Sequence, residues 1–473
     1  MPSSYLFYDL ETSGLNPCFD QVLQFAAIRT DLNLKQISEH EIFIKLNPDV
    51  VPAPAAILTH QISLTQLAQG STEYSAMREI HKLFNTPETI SVGYNSLNFD
   101  DEFLRFSFYR NLLPPYLHQY ANNCGRMDIY PIVVMYYLFK PSVLVWPKIA
   151  GTATLKLEQI ASANNLITGS AHDALTDVKA TVNLARVLMK ERAMWDYVCK
   201  YFNKSSDLAR TQKLNAAFVS NNAAHYVALA VDGSIGASNF YQAPVLSLGV
   251  HNHYKNQSLW LRLDNALFSE IPAATIIETT YVLRKRFGET PLLLPFEQRF
   301  QQFLTPERLV LVQNNISWLK NNPELLAKIA NHHKEYKYPN VPNVDIDAAL
   351  YQNGFLSNLD QSWCDKFHAA NVADKVAMLE KFPNQNLRTQ ALRVLGRNFS
   401  ENLSTHYLQE FQAYLARINT ADPGLAIIDY RNTKKLSPDV ALAEIEKIIT
   451  RADLTLKQQQ LLVELKSYLV NFS

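Results

Sequence analysis

The stretch Tyr5-Leu6-Phe7-Tyr8-Asp9-Leu10-Glu11-Thr12-Ser13-Gly14 decides the reading of this chain. It opens as a run of aromatic and aliphatic residues, the composition of a buried strand, and closes on a Ser-Gly turn signal. In a strand, residues i and i+2 share a face, so Asp9 and Glu11 stand side by side and Leu10 points away. Two carboxylates at the end of a buried strand repel each other and lose hydration, a cost that joining cations remove. Hard divalent ions with oxygen ligands, magnesium or manganese, suit such a pair. The competing reading, two solvated acids at a strand end, is the commoner one for an isolated Asp-x-Glu. The rest of the chain decides between them.

Outward from this strand, residues 21–30 (QVLQFAAIRT) read as a second strand and 41–46 as a third, with a hairpin at 31–35 between them. Residues 55–69 look helical in pieces, and 72–84 make a better helix closed by Pro87. A short apolar strand is expected at 90–94, then helices at 100–111, 128–139, 154–164 and 174–190. Val178, Val182, Ala185 and Leu188 form the apolar stripe of the last helix. An α/β domain over residues 1–190 follows. Residues 191–213 are aromatic and basic and read as a connector. Strand signals return at AHYVALAV, APVLSLGVH, QSLWLRLD and TPLLLPF, with helical stretches around 270–287 and 306–331. With the connector they make a second domain, 191–347, a small β-barrel with helical insertions. Its last segment, 336–347, carries two prolines and three asparagines and reads as a linker. Residues 348–473 are helical in pattern.

Composition sets the outer bounds. A chain of 473 residues is long enough for several cores. Lysine plus arginine (44) equals aspartate plus glutamate (44), so any surface for a polyanion must be local. The four cysteines are far apart and form no metal-type pair, as expected of free thiols in a reducing cytoplasm. No signal peptide is visible, and the longest apolar run, 132–139, is far short of the roughly 20 residues that span a bilayer. The expectation is a cytoplasmic, soluble protein with no membrane partner.

Two further acidic elements complete the pattern. Asn98-Phe99-Asp100-Asp101-Glu102 falls where a strand-loop gives way to a helix, a place where acids also serve as caps and dipole partners. His172-Asp173-Ala174-Leu175-Thr176-Asp177 opens the last helix of the domain. Within one helix, five residues at about 100° each would splay His172 and Asp177 roughly 140° apart. His172 therefore belongs to the loop before the helix and Asp177 to its second turn. Asp177 lies close to the apolar stripe, where an acid without a partner is costly.

Taken in order, Asp9-x-Glu11, Asn98-x-Asp100 and His172-x4-Asp177 resemble the DEDDh group of 3′→5′ exonucleases, whose catalytic domain is ribonuclease-H-like. The runs FYDLETSG, QFAAIRTD, GYNSLNFDDEFLRFSFYRN and NVDIDAALYQNGF, with the three-domain layout, resemble the bacterial exonuclease I family along nearly the whole chain. The resemblance implies an α/β ribonuclease-H-like exonuclease domain, a Src-homology-3-like β-barrel and an α-helical C-terminal domain. It implies a monomer that degrades single-stranded DNA to 5′-mononucleotides, in DNA repair and recombination. Asp9, Glu11, Asp100 and Asp177 would then hold two Mg2+ ions, for which Mn2+ can substitute, and His172 would be the general base. Asp101 is the fallback for Asp100. A pair of ions about 3.5–4 Å apart stabilises both oxygens of an in-line phosphoryl displacement. A histidine with an ordinary pKa near 6.5 can take the proton of the attacking water.

Candidate DNA contacts are Lys204, Arg210 and Lys213 in the connector and Arg284, Lys285 and Arg286 in the middle domain, each weighed against an ordinary solvated face. Trp195, Tyr197, Tyr201 and Phe202 would supply stacking platforms beside the first three. The family also binds the acidic C-terminal tail of single-strand-binding protein at a basic pocket. Thr305 stands where a pocket arginine aligns, and Lys320 takes a second pocket position. Two rival readings are an RNA-trimming or proofreading exonuclease of the same superfamily and a catalytically inactive single-strand-binding scaffold. The first leaves two domains without a use, and the second leaves the clustered acids without a reason.

Overall fold

Strand β1 (Ser4–Thr12) is the middle of a five-stranded sheet. The others are β2 (Val22–Thr30), β3 (Gln36–Phe43), β4 (Thr89–Gly93) and β5 (Gly125–Asp128), in the order β3-β2-β1-β4-β5. β1 pairs antiparallel with β2 and parallel with β4, so the sheet is mixed. Leu6, Tyr8 and Leu10 alternate into a core with Phe25, Phe84, Phe103 and Phe108, and the Tyr8 ring meets Phe84 edge-on at 4.8 Å. That alternation fixes the register and turns Asp9 and Glu11 to the opposite face. β3 starts five residues before the expected strand because the hairpin pairing extends through the polar residues Gln36–Glu39. The computed structural model describes residues 3–167, 173–420, 422 and 424–472.

The chain forms two compact units. One comprises residues 1–126, 167–182 and 340–473, and the other residues 127–166 and 183–339. In the first unit the C-terminal helices, among them Gln385–Asn398, Thr405–Ala416, Pro438–Ile448 and Leu456–Val470, share a core with the front of the chain. Cys18, Phe19, Val51, Ile57 and Phe106 are buried with Leu350, Phe411, Ile445, Leu462 and Leu465. A buried ion network joins the same partners. Arg397 donates to Asp49 at 2.7 Å and to Asp347 at 2.5 Å, and Arg393 reaches Asp345 at 2.5 Å and Asp347 at 2.9 Å. Lys435 and the Tyr414 hydroxyl complete the shell of Asp49 at 3.3 and 2.8 Å.

The second unit carries a sheet of six strands. β8 (Ala216–Ser220), β9 (Ala223–Val231), β10 (Gln242–Val250), β11 (Gln257–Arg262), β12 (Val282–Arg286) and β13 (Leu292–Pro295) follow the short pair β6 (Lys148–Ile149) and β7 (Thr152–Ala153). The path is β12-β11-β10-β9-β13, with β8 also on β9, and every one of these pairings is antiparallel. One face packs on the helices Pro306–Asn321 and Pro323–Glu335 through Leu246, Leu259, Leu261, Val312, Leu319 and Ile329. The other face closes on itself: Leu283 and Leu293, from the two ends of the path, share one cluster with Val245 and Trp260.

Three expectations change here. Residues 282–286 (VLRKR) were expected to end a helical stretch, yet they form edge strand β12; alternation buries Leu283 and Lys285 and leaves the charges of Arg284 and Arg286 on the other face. The connector at 191–213 is itself helical, as Arg192–Cys199 and Lys204–Thr211, the latter capped by Asn203. Trp195 and Tyr201 are 2 % and 1 % exposed, so they are core residues rather than stacking platforms. Among the described residues no helix is long and apolar enough to cross a membrane.

Candidate active site

Asp9 and Glu11 lie opposite Ala26 and Gln24 of β2, just before the register shifts at Glu11/Thr12. Gln24, 1 % exposed, is the link to the third acid. Its amide donates to Glu41 at 2.8 Å and to Asp173 at 2.9 Å. Asp173 in turn accepts from the Thr176 N–H at 3.1 Å and the Thr176 hydroxyl at 2.8 Å, a cap on the helix Ala174–Leu188. Fixing that helix start places Asp177, one turn on, against the strand. One carboxylate oxygen from each of Asp9, Glu11 and Asp177 lies within 4.8 Å of the others.

The electrostatics describe a site short of positive charge. Burial raises the Asp9 carboxyl well above its usual range, and the neighbours that add to this are Asp100, Asp177, Glu11 and Asp173. Glu11 is pushed up to about 8 by burial, then by Asp177, Asp100 and Asp173. Asp100 stands outside the 4.8 Å triad, and its charge is the strongest carboxylate influence on Asp9. It is 6 % exposed at the first position of the helix Asp100–Arg110. Its neighbour Asp101 is spoken for: Arg105 at 2.6 Å, Arg126 at 2.5 Å and His118 at 3.1 Å surround it. Burial would raise Asp101, but Arg105 and Arg126 outweigh it and hold the carboxyl far below the usual range. His172 lies outside the described residues.

The loop after Glu11 is held closely. A side chain at Gly14 would place its Cβ 2.3 Å from Asp20 Oδ2, so any larger residue would have to displace that carboxylate. Asn16 donates its backbone N–H to that carboxylate at 2.8 Å and its side-chain amide to Asp429 at 2.9 Å. Tyr351 contacts Glu102 on the helix that starts with Asp100. Gln24, Asp173, Asp429 and Tyr351 were not singled out from the sequence. The Asp-x-x-Thr cap at 173–176 carried a local signal; the other contacts span long sequence separations and carried none.

Of the candidate DNA contacts, Lys204 and Lys213 are exposed. Arg210 is engaged within the protein, stacked over Tyr197 and Tyr201 at 4.3 and 4.1 Å and donating to the Tyr197 carbonyl at 2.8 Å. Lys285 is a correction: it is 0 % exposed and paired with Asp207 at 2.5 Å, because its strand position faces inward. Arg284 is half-buried, and Arg286 is exposed, 3.7 Å from Glu289.

A mixed sheet whose central strand presents an acid pair to a third acid on a helix defines a nuclease of the exonuclease class, and the family model described as Exonuclease matches residues 6–185. A second model, Exonuclease I C-terminal domain, matches residues 344–472. Exodeoxyribonuclease I of Escherichia coli K12 is 31 % identical over 76 % of this chain and 78 % of its own length. The Haemophilus influenzae exodeoxyribonuclease I is 26 % identical over 88 % of both chains. The chain belongs to the exodeoxyribonuclease I family. Two solved structures share its fold. E. coli exonuclease I in complex with a dA16 oligonucleotide has a TM-score of 0.86, 24 % identity and complete coverage of both chains. Exonuclease I of Methylocaldum szegediense has 0.85, 25 % identity and 99 % coverage of both.

Proposed function

We propose that this protein is a magnesium-dependent 3′→5′ exonuclease that degrades single-stranded DNA to 5′-mononucleotides. The carrying observation is the triad Asp9, Glu11 and Asp177, with oxygens within 4.8 Å and every strong neighbouring charge on Asp9 negative. Such a donor set fits divalent cations, since oxygen ligands and uncompensated negative charge are what hard ions require. Asp9, Glu11 and Asp177 would hold them, with Asp100 adding its charge. Ions held there would supply positive charge to stabilise the phosphoryl displacement. His172 accepts the proton of the attacking water. The protein's other contribution is rigidity: Gln24 and Asp173 fix the helix of Asp177, and Asn16 and Gly14 fix the loop beyond Glu11.

The similarity to proteins named exodeoxyribonuclease I supports DNA as substrate, and the likeness to a complex with an oligonucleotide supports a single strand. We extend the reading to a domain division at 1–190, 191–347 and 348–473, with the middle part a Src-homology-3-like barrel, and to a cytoplasmic monomer in DNA repair. Lys204, Lys213, Arg284 and Arg286 remain candidates for phosphate contacts. The C-terminal tail of single-strand-binding protein is the proposed partner, with Lys320 as one contact and Thr305 replacing a second cation.

The deciding experiment compares single-stranded DNA labelled at either end, duplex DNA and RNA, each with and without Mg2+. Release of mononucleotides from the 3′ end of the DNA single strand alone is expected; equal use of RNA, or activity in chelator, overturns the reading. His172→Ala should lower turnover by roughly 10²–10⁴-fold and remove the limb of the pH–rate profile near neutrality. An unchanged profile would assign the proton to another group.

A further inference from the structure

Two arginines contact the residue that follows Asp100, yet the strongest neighbouring charges on Asp9 are all negative. The reason lies in Asp101. This carboxylate is fully buried in the first turn of the helix Asp100–Arg110, whose start carries no side-chain cap. Its Oδ2 accepts from Arg105 at 2.6 Å and from Arg126 of β5 at 2.5 Å. Its Oδ1 meets His118 Nε2 at 3.1 Å, and since a carboxylate only accepts, that ring nitrogen carries the proton. Burial lowers the His118 pKa, and its buried Nδ1 meets no hydrogen-bond partner among the described residues. His118 therefore adds a bond and no charge. Arg105 also pairs with Glu102, which accepts from the Tyr351 hydroxyl. Two arginines thus face two carboxylates, and the cluster is neutral. Its charges are felt beside Asp100: burial raises the Tyr8 hydroxyl well above its usual range, Asp101 and Asp100 add to this, and Arg126 opposes it.

We propose that Asp101 is a positioning residue for the cation site: it keeps the charges of Arg105 and Arg126 off Asp100, so that the acids of the site stay available to divalent ions. The proposal rests on the metal-dependent reading above and gives a role to an acid that reading leaves unused. A guanidinium is always charged and its fork matches a carboxylate, so an arginine without its own partner competes with metal for the nearest acid. Without the charge of Asp101 the cluster of Arg105, Arg126 and Glu102 carries one net positive charge beside Asp100. Inside a protein, one such charge several ångströms from a divalent ion weakens its binding roughly tenfold or more. Asp101 is poorly placed to be a ligand itself, since three donors already occupy its two oxygens.

The test reads Mg2+ affinity from the melting temperature of the full-length protein, without DNA, across a series of Mg2+ concentrations. Asp101→Asn should weaken Mg2+ binding roughly tenfold or more. Asp101→Asn combined with Arg126→Gln removes one charge of each sign and should bind Mg2+ like the parent. Arg126→Gln alone should bind it as tightly as the parent or more tightly. Parent-like affinity in Asp101→Asn overturns the proposal. So does a double variant as weak as the single one, which would make Asp101 a ligand or an anchor of the helix. Weakening in Arg126→Gln alone overturns it too, because the cluster would then act through its shape. Should Asp101→Asn fail to fold, Arg126→Gln and the double variant carry the test, and weaker binding in either ends the proposal. A parent that shows no Mg2+-dependent rise ends the proposal together with the metal assignment. Cleavage is scored separately: a parent that binds Mg2+ but cuts no DNA ends the exonuclease reading, while the affinity series still judges Asp101.

Discussion

Asp9, half-buried, and Asp49, 1 % exposed, belong to the same unit, and their surroundings push them in opposite directions. Around Asp9 the strongest neighbouring charges are all carboxylates, and its carboxyl rises well above the ordinary range. Burial would do the same to Asp49, but Arg397 and Lys435 outweigh it and hold that carboxyl well below the range. The network of Asp49, Asp345 and Asp347 carries its own cations on the chain. In the proposed function, the cluster of Asp9, Glu11 and Asp177 draws on cations from solution instead. Removing an acid should therefore be harmless to the fold in one place and removing a cation damaging in the other.

The largest effect that sharpens this contrast is catalytic. Asp9→Ala or Asp177→Ala should cut turnover on single-stranded DNA by roughly 10³-fold or more, a barrier increase of about 4 kcal/mol. Each variant should be as stable as the parent in chelator, or more so, since repulsion is relieved. A correctly folded variant with near-normal turnover in Mg2+ breaks the assignment. Next in size is Arg397→Met, which leaves Asp49 and Asp347 short of a buried partner and should cost about 3–5 kcal/mol in denaturant unfolding. A loss below 1 kcal/mol would show that Lys435 and Arg393 suffice.

Cation binding gives the third contrast. Mg2+ at about 100 times its dissociation constant should stabilise the parent by about 2.7 kcal/mol, read as a rise in melting temperature that disappears in Asp9→Asn. The same rise in that variant would place the ion elsewhere. The smallest effect is acid sensitivity. Burial raises the Asp347 carboxyl, Arg397 and Arg393 lower it, and the outcome is about 2 against an ordinary 3.8. A depressed folded-state pKa gives stability that is complete above the unfolded value and lost as pH falls through the folded one. Asp347 should thus contribute about 2 kcal/mol above pH 4 and lose it between roughly pH 4 and 2. Asp347→Asn should flatten that part of the stability–pH curve; a curve of unchanged slope there would assign the acid transition to other groups.

What could be seen in the sequence follows the range of the interactions. β1 was legible because an apolar run with an Asp-x-Glu pair specifies a strand and its faces locally. The helix expected over 72–84 was legible for the same reason; the structure makes Thr72 its cap and Glu73–Phe84 its body. β12 was not: three cations in VLRKR hide an alternation whose meaning depends on Asp207 receiving Lys285 from another segment. The tie of Arg397 to Asp49 spans 348 residues and has no periodic trace. The choice of Asp100 over Asp101 rested on the resemblance alone, and the structure adds a physical ground, since three partners already surround Asp101. Arg284 was chosen as a cation, while Tyr336 and Tyr338, whose rings it meets, lie more than fifty residues further on.

The shared core of the first unit has a consequence for how the chain is made. Phe19, Val51, Ile57 and Phe106 leave the ribosome long before Phe411, Ile445, Leu462 and Leu465, their eventual neighbours. From residue 106 to residue 348, where the late partners begin, about 240 residues must be translated, which takes tens of seconds at roughly 5–20 residues per second. Throughout that interval the nascent exonuclease sheet presents an apolar flank with nothing yet to cover it, a surface that invites chaperones or neighbouring nascent chains. Maturation of the nuclease is thereby tied to completion of translation: a prematurely terminated product would carry the acids of β1 but lack the far half of the core that steadies their loop.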